Sequence, residues 1–349
     1  MNLPHLPNQK PPRYESIQAL RAGAALLVVL FHLGVLPNGH TGVDLFFVIS
    51  GFIMGAIGVN ERPARFVYRR VIRIAPLYWL VTLAMCVMFF VPGLMRNFDF
   101  TAEQLIKSLL FIPYFNEAGE LYPLVVPGWT LNFEMFFYLV FAAALFTPWP
   151  RRATMAALVV LTGLGVMLTP TRPFALIATS PLILEFAGGL LLSRRAGAIP
   201  ARLGFALAAI GVVGLAAMVI GLVTPGEGLR RVLVAGLPSM LLLAGVLSIE
   251  AAGRWPKLAA AVFLGNISYS LYLTHGLVLP LVEKFAPSSP MVLIPLGVGT
   301  SVALASIVYL FFEEPSITFF RKMEKRILNS RARRAPDLPG PGSPPVFGG

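Results

Sequence analysis

Apolar residues fill this chain in long, nearly unbroken stretches. Runs of bilayer-spanning length, about 20 residues each, fall near 17–36, 43–59, 74–92, 130–148, 153–169, 174–193, 203–224, 232–249, 258–280 and 291–312. They predict an all-α, polytopic membrane protein with about ten transmembrane helices. Most connections between the runs are short. The long one, 93–128, holds the amphipathic stretch TAEQLIKSLLF followed by YPLVVPGW. That stretch suits a helix lying in the interface or covering the mouth of a cavity, and equally a plain loop. The stretch APDLPGPGSPPVFGG is rich in Pro and Gly without apolar periodicity, which predicts disorder. The expected organisation is a cytoplasmic segment over 1–16, a membrane domain over 17–328 and a disordered cytoplasmic tail over 329–349.

Composition removes the soluble alternative. Of 349 residues, 56% are hydrophobic and 13% charged, with a mean hydropathy of +0.76; water would not tolerate so much apolar surface. The net charge of +12 raises nucleic acid as a partner, but the distribution of the charge points elsewhere. Of 28 Lys and Arg, 21 fall on the segments that share a side with the N-terminus and 6 on the other side; Arg21 alone sits inside a helix. Basic residues stay on the cytoplasmic face, so both termini are expected there and the helix count is expected to be even. The single cysteine, Cys86, excludes an intramolecular disulfide and a CxxC site. Four histidines without HExxH-like spacing argue against a metal enzyme. The first apolar run is long and has no clear small-x-small exit, so no cleavable signal peptide is expected.

Polar residues inside the apolar runs carry the chemistry. The stretch QALRAGAALLVVLFHLG (18–34) holds Arg21 near its start and His32 near its end. Eleven residues make three helical turns plus about 20°, so both side chains share one face, roughly 16 Å apart along the axis. An arginine at the bilayer centre costs about 2.5–3.5 kcal/mol on insertion scales, so this stripe is expected to face protein or water. Arg21 could also snorkel to the headgroups, and His32 could simply bond a neighbouring helix. A neutral imidazole is suited to take a proton from an alcohol near pH 7 or to carry an acyl group itself. A cation near the other end suits an elongated anionic donor whose phosphates enter first and whose thioester lies deeper.

The spacing R-x10-H, followed by HTGVDLFFVISGFIM, resembles the integral-membrane acyltransferase-3 family. The resemblance continues through RFVYRRVIRIAPLYWL, PGWTLNFEMFFYLVFA and LGNISYSLYLTHGLVL. FIMG, SLLFIPY and PGWTLNFEMFFY are similar to the ExoZ-type branch, which acetylates exported polysaccharide. The resemblance implies an O-acyltransferase in a bacterial inner membrane, among membrane lipid. It would move an acetyl group from acetyl-CoA, the donor substrate, to a hydroxyl of an exported or lipid-linked carbohydrate, with no metal and no nucleic acid. It assigns His32 to catalysis and the R-x-x-R pair, Arg70 and Arg73, to coenzyme A, with Arg21 near the acyl arm; Glu134 matches the family's acidic position.

Other intruders leave alternatives open. Asp44 could orient the His32 imidazole or only favour its helix N-terminus through the dipole. Glu134 could hold the His32 tautomer or bond a sugar hydroxyl, with Asn132 beside it. Ser268, Tyr272 and His275 follow i, i+4, i+7 on one stripe, and Tyr272 and His275 could line a carbohydrate path. His40 reads as solvated, Glu313 or Glu314 as a partner for the helix-3 arginines, and Glu185 only as half of a buried ion pair. Two other functions fit the same residues: acylation of a secreted small molecule, and a secondary transporter or flippase whose buried Arg, His and Glu form an ion path.

Overall fold

Among the described residues of the computed structural model, eight helices are long and apolar enough to cross a membrane, or nine if one pair bent by 64° counts as a single span. The structure describes residues 14–90, 99–195, 198–287 and 289–334, and every regular element among them is helical. In chain order these are α1 (Glu15–His32), α2 (Gly42–Ile57), α3 (Pro63–Phe89), α4 (Ala102–Leu109), α5 (Trp129–Ala144), α6 (Pro150–Leu168), α7 (Pro173–Ala178) and α8 (Ile183–Leu192). There follow α9 (Ala201–Val219), α10 (Gly228–Arg231), α11 (Leu237–Ala251), α12 (Ala259–Asn266), α13 (Ser268–Phe285), α14 (Pro290–Val308) and α15 (Glu314–Arg334). Within the described residues each of the ten apolar runs holds helix, that at 174–193 divided between α7 and α8. The run at 258–280 is the bent pair α12–α13, and that at 130–148 is α5, whose 16 residues rise only about 24 Å.

Small residues set the closest approach in the bundle. At the crossing of α2 and α8, a Cβ on Gly51 would meet the Phe186 carbonyl oxygen at 2.0 Å, and one on Gly189 would meet that of Val48 at 1.9 Å. Two backbones this close leave no space for a methyl group, which is how small residues drive helix pairing without a hydrophobic force in lipid. Phe47 of α2 stacks on Phe186, and Phe186 on Phe137 of α5, with centroids 4.6 and 4.5 Å apart. Gly51→Ala or Gly189→Ala is expected to lower stability by about 1–3 kcal/mol or more through overpacking. Gly163→Ala, with nothing within 4 Å of the added Cβ, is the silent control; thermal unfolding in detergent reads the difference.

Polar contacts fix the helix ends. The start of α1 is capped from α11, where Glu250 accepts the Glu15 N–H at 2.6 Å and the Ser16 hydroxyl at 2.5 Å, satisfying donors that a helix start leaves open. The arginines of α3 divide by face. Arg65 and Arg69 pair with Glu324 of α15 at 2.5 and 3.3 Å, and Arg69 also with Glu61 at 3.3 Å; Arg70 and Arg73 turn into the bundle. Helix α15 continues to Arg334, inside the segment read as tail. The remainder of that tail and residues 1–13 lie outside the described residues.

From Asp99 onward the long connection is built rather than loose. Thr101 and Gln104 form a capping box at the start of α4, and the Trp79 indole of α3 donates to the Leu109 carbonyl at 2.8 Å. The Ser108 hydroxyl takes the Leu124 N–H at 3.2 Å and meets the Tyr114 hydroxyl at 2.9 Å. This draws Val125 and Pro127 over the His32 end of α1, where they line a cavity.

Candidate functional site

Two cavities lie along α1, and they divide the residues the sequence singled out. The first, of about 120 Å³, is lined by Arg21, Arg70, Arg73, Glu134, Tyr138 and Tyr272 among others. The second, of about 280 Å³, is lined by His32 and His275, with Val125, Pro127 and Glu283 at its edge.

The first cavity brings one carboxylate and three guanidinium groups together from α1, α3 and α5. Arg21 donates from Nε to the Ser268 hydroxyl at 3.2 Å. Arg73 is ion-paired with Glu313, which also accepts the Ser270 hydroxyl at 2.5 Å; this is the pairing expected between helix 3 and FEEP. Arg70 is held differently. Its guanidinium lies over the rings of Phe66 and Tyr138, 5.5 and 6.0 Å from their centroids, and its buried Nε has no hydrogen-bond partner. A positioned cation with an unmet donor is suited to bind an anion, because a guanidinium forks onto carboxylate or phosphate oxygens. Glu134 accepts the Ser50 hydroxyl at 3.1 Å and the hydroxyl of Tyr138, one turn along α5.

The second cavity presents imidazoles. The Nδ1 of His32 is 2.9 Å from the Val28 carbonyl. A carbonyl only accepts, so Nδ1 carries the proton and Nε2 keeps its lone pair. The His32 side chain is exposed, and its ring stands 4.8 Å from that of His275. His275 is fully buried, with Nδ1 bonded to the Leu271 carbonyl at 3.2 Å and Nε2 without a partner.

Several placements differ from the sequence expectations. Glu134 lines the arginine cavity, and the Val28 carbonyl, one turn below His32, is the acceptor that holds the tautomer. Asp44 makes a two-pronged ion pair with Arg231, at 2.9 and 2.8 Å; its hydrogen bonds go to α10 and not to the imidazole. Asn132 is buried and lines neither cavity. Tyr272 lines the arginine cavity while packing 6.2 Å from the His275 ring. His40 is partly buried, edge-on to Phe31 at 5.0 Å, because the turn carrying it folds back onto α1. Glu185 is fully buried near Asp44 and Arg231, but the Arg231 guanidinium pairs with Asp44, so Glu185 is not the half of an ion pair that the sequence suggested. Arg231, Tyr138, Thr130 and Ser50 escaped the sequence reading; of these only Tyr138, at i+4 from Glu134, carried a local signal.

Among the described residues no group of three or more His, Cys, Asp or Glu could hold a metal ion. The family model for the acyltransferase domain matches residues 14–310. Exopolysaccharide production protein ExoZ of Rhizobium meliloti (strain 1021) is 36% identical over 328 residues, 88% of this chain and 99% of the relative. The putative membrane-bound transacylase BcsY of Komagataeibacter xylinus is 34% identical over 152 residues, covering 40% of this chain and 39% of its own length. Peptidoglycan O-acetyltransferase OatA of Listeria monocytogenes is 29% identical over 175 residues, covering 44% and 27%. No solved structure matches the chain.

Proposed function

Because the chain belongs to the acyltransferase-3 family, we propose that it moves an acetyl group from acetyl-CoA, entering from the cytoplasm, to a hydroxyl of an exported or lipid-linked carbohydrate. The observation that carries this reading is the division of α1 between two cavities, Arg21 in one and His32 in the other. Arg70, with Arg21 and Arg73 beside it, binds the phosphates of the donor. His32 faces the acceptor hydroxyl with a basic Nε2. As the hydroxyl oxygen bonds to the thioester carbonyl carbon, His32 takes its proton; the C–S bond breaks, and the imidazolium returns the proton to the leaving sulfur. Glu283 and His275 on the lining of the second cavity suit a ligand rich in hydroxyl groups. The names of ExoZ and OatA, exopolysaccharide production and peptidoglycan O-acetylation, support a carbohydrate acceptor, and that of BcsY supports acyl transfer at a membrane. The 21-to-6 basic bias supports cytoplasmic termini in a bacterial inner membrane.

Donor binding tests this directly. Arg70→Ala is expected to weaken acetyl-CoA binding by about 10- to 100-fold, the equivalent of one charge-assisted hydrogen bond of about 1.5–3 kcal/mol. Arg69→Ala, which removes a residue paired outside the cavity with Glu61 and Glu324, is expected to change it little. Calorimetry on detergent-solubilised protein measures both. Wild-type protein that fails to bind acetyl-CoA, or equal losses in the two variants, would sink the assignment.

A further inference from the structure

The two cavities meet at one aromatic side chain. Tyr272 of α13 lines the arginine cavity, and its ring packs against His275 of the histidine cavity at 6.2 Å and against Phe46 at 5.8 Å. Its hydroxyl donates to the Pro127 carbonyl at 3.1 Å and meets the Thr130 hydroxyl at 3.0 Å. Thr130 itself bonds the same carbonyl at 3.0 Å. Pro127 lines the histidine cavity and Thr130 the arginine cavity, so these three residues form the partition between them.

One side of the partition is fixed. A Cβ on Gly128 would lie 2.7 Å from the ring of Tyr78, itself fully buried, so the Pro127–Gly128 turn has no room to retreat. The movable part is the Tyr272 side chain, held by hydroxyl contacts alone at its tip.

We infer that Tyr272 sets the length of the acyl group this protein transfers, admitting acetyl and excluding longer chains. The inference rests on the functional reading above. With the donor phosphates at Arg70 and the acceptor hydroxyl at His32, the reacting atoms must approach to about 3–3.5 Å, which puts the thioester carbonyl at the partition. The group carried by that carbonyl then competes for the space of the Tyr272 ring. A methyl group needs only the hydroxyl latch to swing; each further methylene must displace a ring packed by Phe46 and His275, in an interior without spare volume. In the transfer the hydroxyl oxygen bonds to the carbonyl carbon and the C–S bond breaks. The hydroxyl proton travels by way of His32 to the sulfur, whatever the chain length.

Two measurements test the inference on the full chain in sealed membrane vesicles. The first compares acetyl-, butanoyl- and hexanoyl-CoA as donors to lipid-linked sugars extracted from an exopolysaccharide-producing bacterium, reading kcat/KM by thiol release. Wild type is expected to favour acetyl over hexanoyl by about 100-fold. Tyr272→Ala is expected to cut that preference at least about tenfold by raising hexanoyl transfer, whereas Tyr272→Phe, which keeps the ring, retains it. An unchanged preference in Tyr272→Ala overturns the inference. The second measurement needs no acceptor. In a Cys86→Ala background, Ile53→Cys places a thiol in the arginine cavity. The anionic, membrane-impermeant reagent 2-sulfonatoethyl methanethiosulfonate, applied from the histidine side, should label it only when Tyr272 is alanine. Labelling from the arginine side in both backgrounds shows that the thiol is present and reachable, and an unchanged thermal midpoint in detergent shows that the variants are folded. Equal labelling from the histidine side overturns the partition. No transfer from any donor overturns the functional reading and the chain-length inference together, while the labelling result still reports on the wall.

Discussion

Replacing His32 by alanine is expected to lower acyl transfer by about 10²–10⁴-fold, the usual contribution of a positioned general base, while acetyl-CoA binding stays at the wild-type level. The separation of the two effects follows from the cavities: Arg21, Arg70 and Arg73 line one, His32 the other. The tautomer makes the loss specific. With Nδ1 committed to the Val28 carbonyl at 2.9 Å, only Nε2 is available, and it is basic. His32→Gln keeps much of the volume but offers an amide with no useful proton affinity, so it is expected to be as inactive as alanine. Thiol release from acetyl-CoA, with and without acceptor, gives the rates, and calorimetry gives the binding. Transfer within about twofold of wild type in His32→Ala would remove the imidazole from the mechanism. The same preparations separate the base from an acyl carrier. Wild type incubated with radiolabelled acetyl-CoA and no acceptor is denatured rapidly at neutral pH, where an acyl-imidazole survives long enough to be isolated. No label should remain on the protein if His32 acts only as a base.

The parts of this architecture that were legible in the sequence are those set by local rules. The ten apolar runs became helical, two of them as broken pairs, α7–α8 and α12–α13, because chain in lipid must satisfy its backbone groups within itself. The eleven-residue spacing of Arg21 and His32 specifies a shared face, with the two residues about 16 Å apart along the axis, and the structure adds that they line different cavities. A pairing of Glu313 or Glu314 with the arginines of helix 3 was legible because charges at matching depth in apolar chain have few other partners; the structure selects Glu313 and Arg73. What escaped the sequence reading depended on distant packing. Asp44 and Arg231 are 187 positions apart, and no local periodicity connects them. Depth left Glu134 open between a sugar hydroxyl and the His32 tautomer, but a helix residue also has an azimuth, and α5 turns Glu134 toward Ser50 and Tyr138. The Tyr272–Thr130–Pro127 partition joins α13 to a turn about 145 residues earlier, again outside the reach of spacing arguments.

Asp44 is where the sequence expectation and the structure separate most clearly, and stability measurements distinguish them. Its carboxylate is fully buried and the Arg231 side chain is 13% exposed, with the guanidinium also 5.9 Å from the Trp129 ring. Removing one member of such a pair leaves the other charge buried without compensation, which costs about 3–5 kcal/mol. Asp44→Ala and Arg231→Ala are therefore each expected to lower the thermal midpoint in detergent sharply and to reduce the yield of folded protein. Replacing both, as Asp44→Leu with Arg231→Met, removes both desolvation costs together and is expected to recover most of the loss, since apolar side chains of similar volume often substitute for a buried pair without penalty. Activity completes the argument. If Asp44 only pairs with Arg231, the recovered double variant transfers acyl groups within a fewfold of wild type. If Asp44 instead acts on the His32 imidazole, the double variant folds but its transfer rate falls toward that of His32→Ala. A double variant less stable than either single variant would show that Asp44 and Arg231 do not offset each other's burial, and would count against the pair as the reason for their place in the fold.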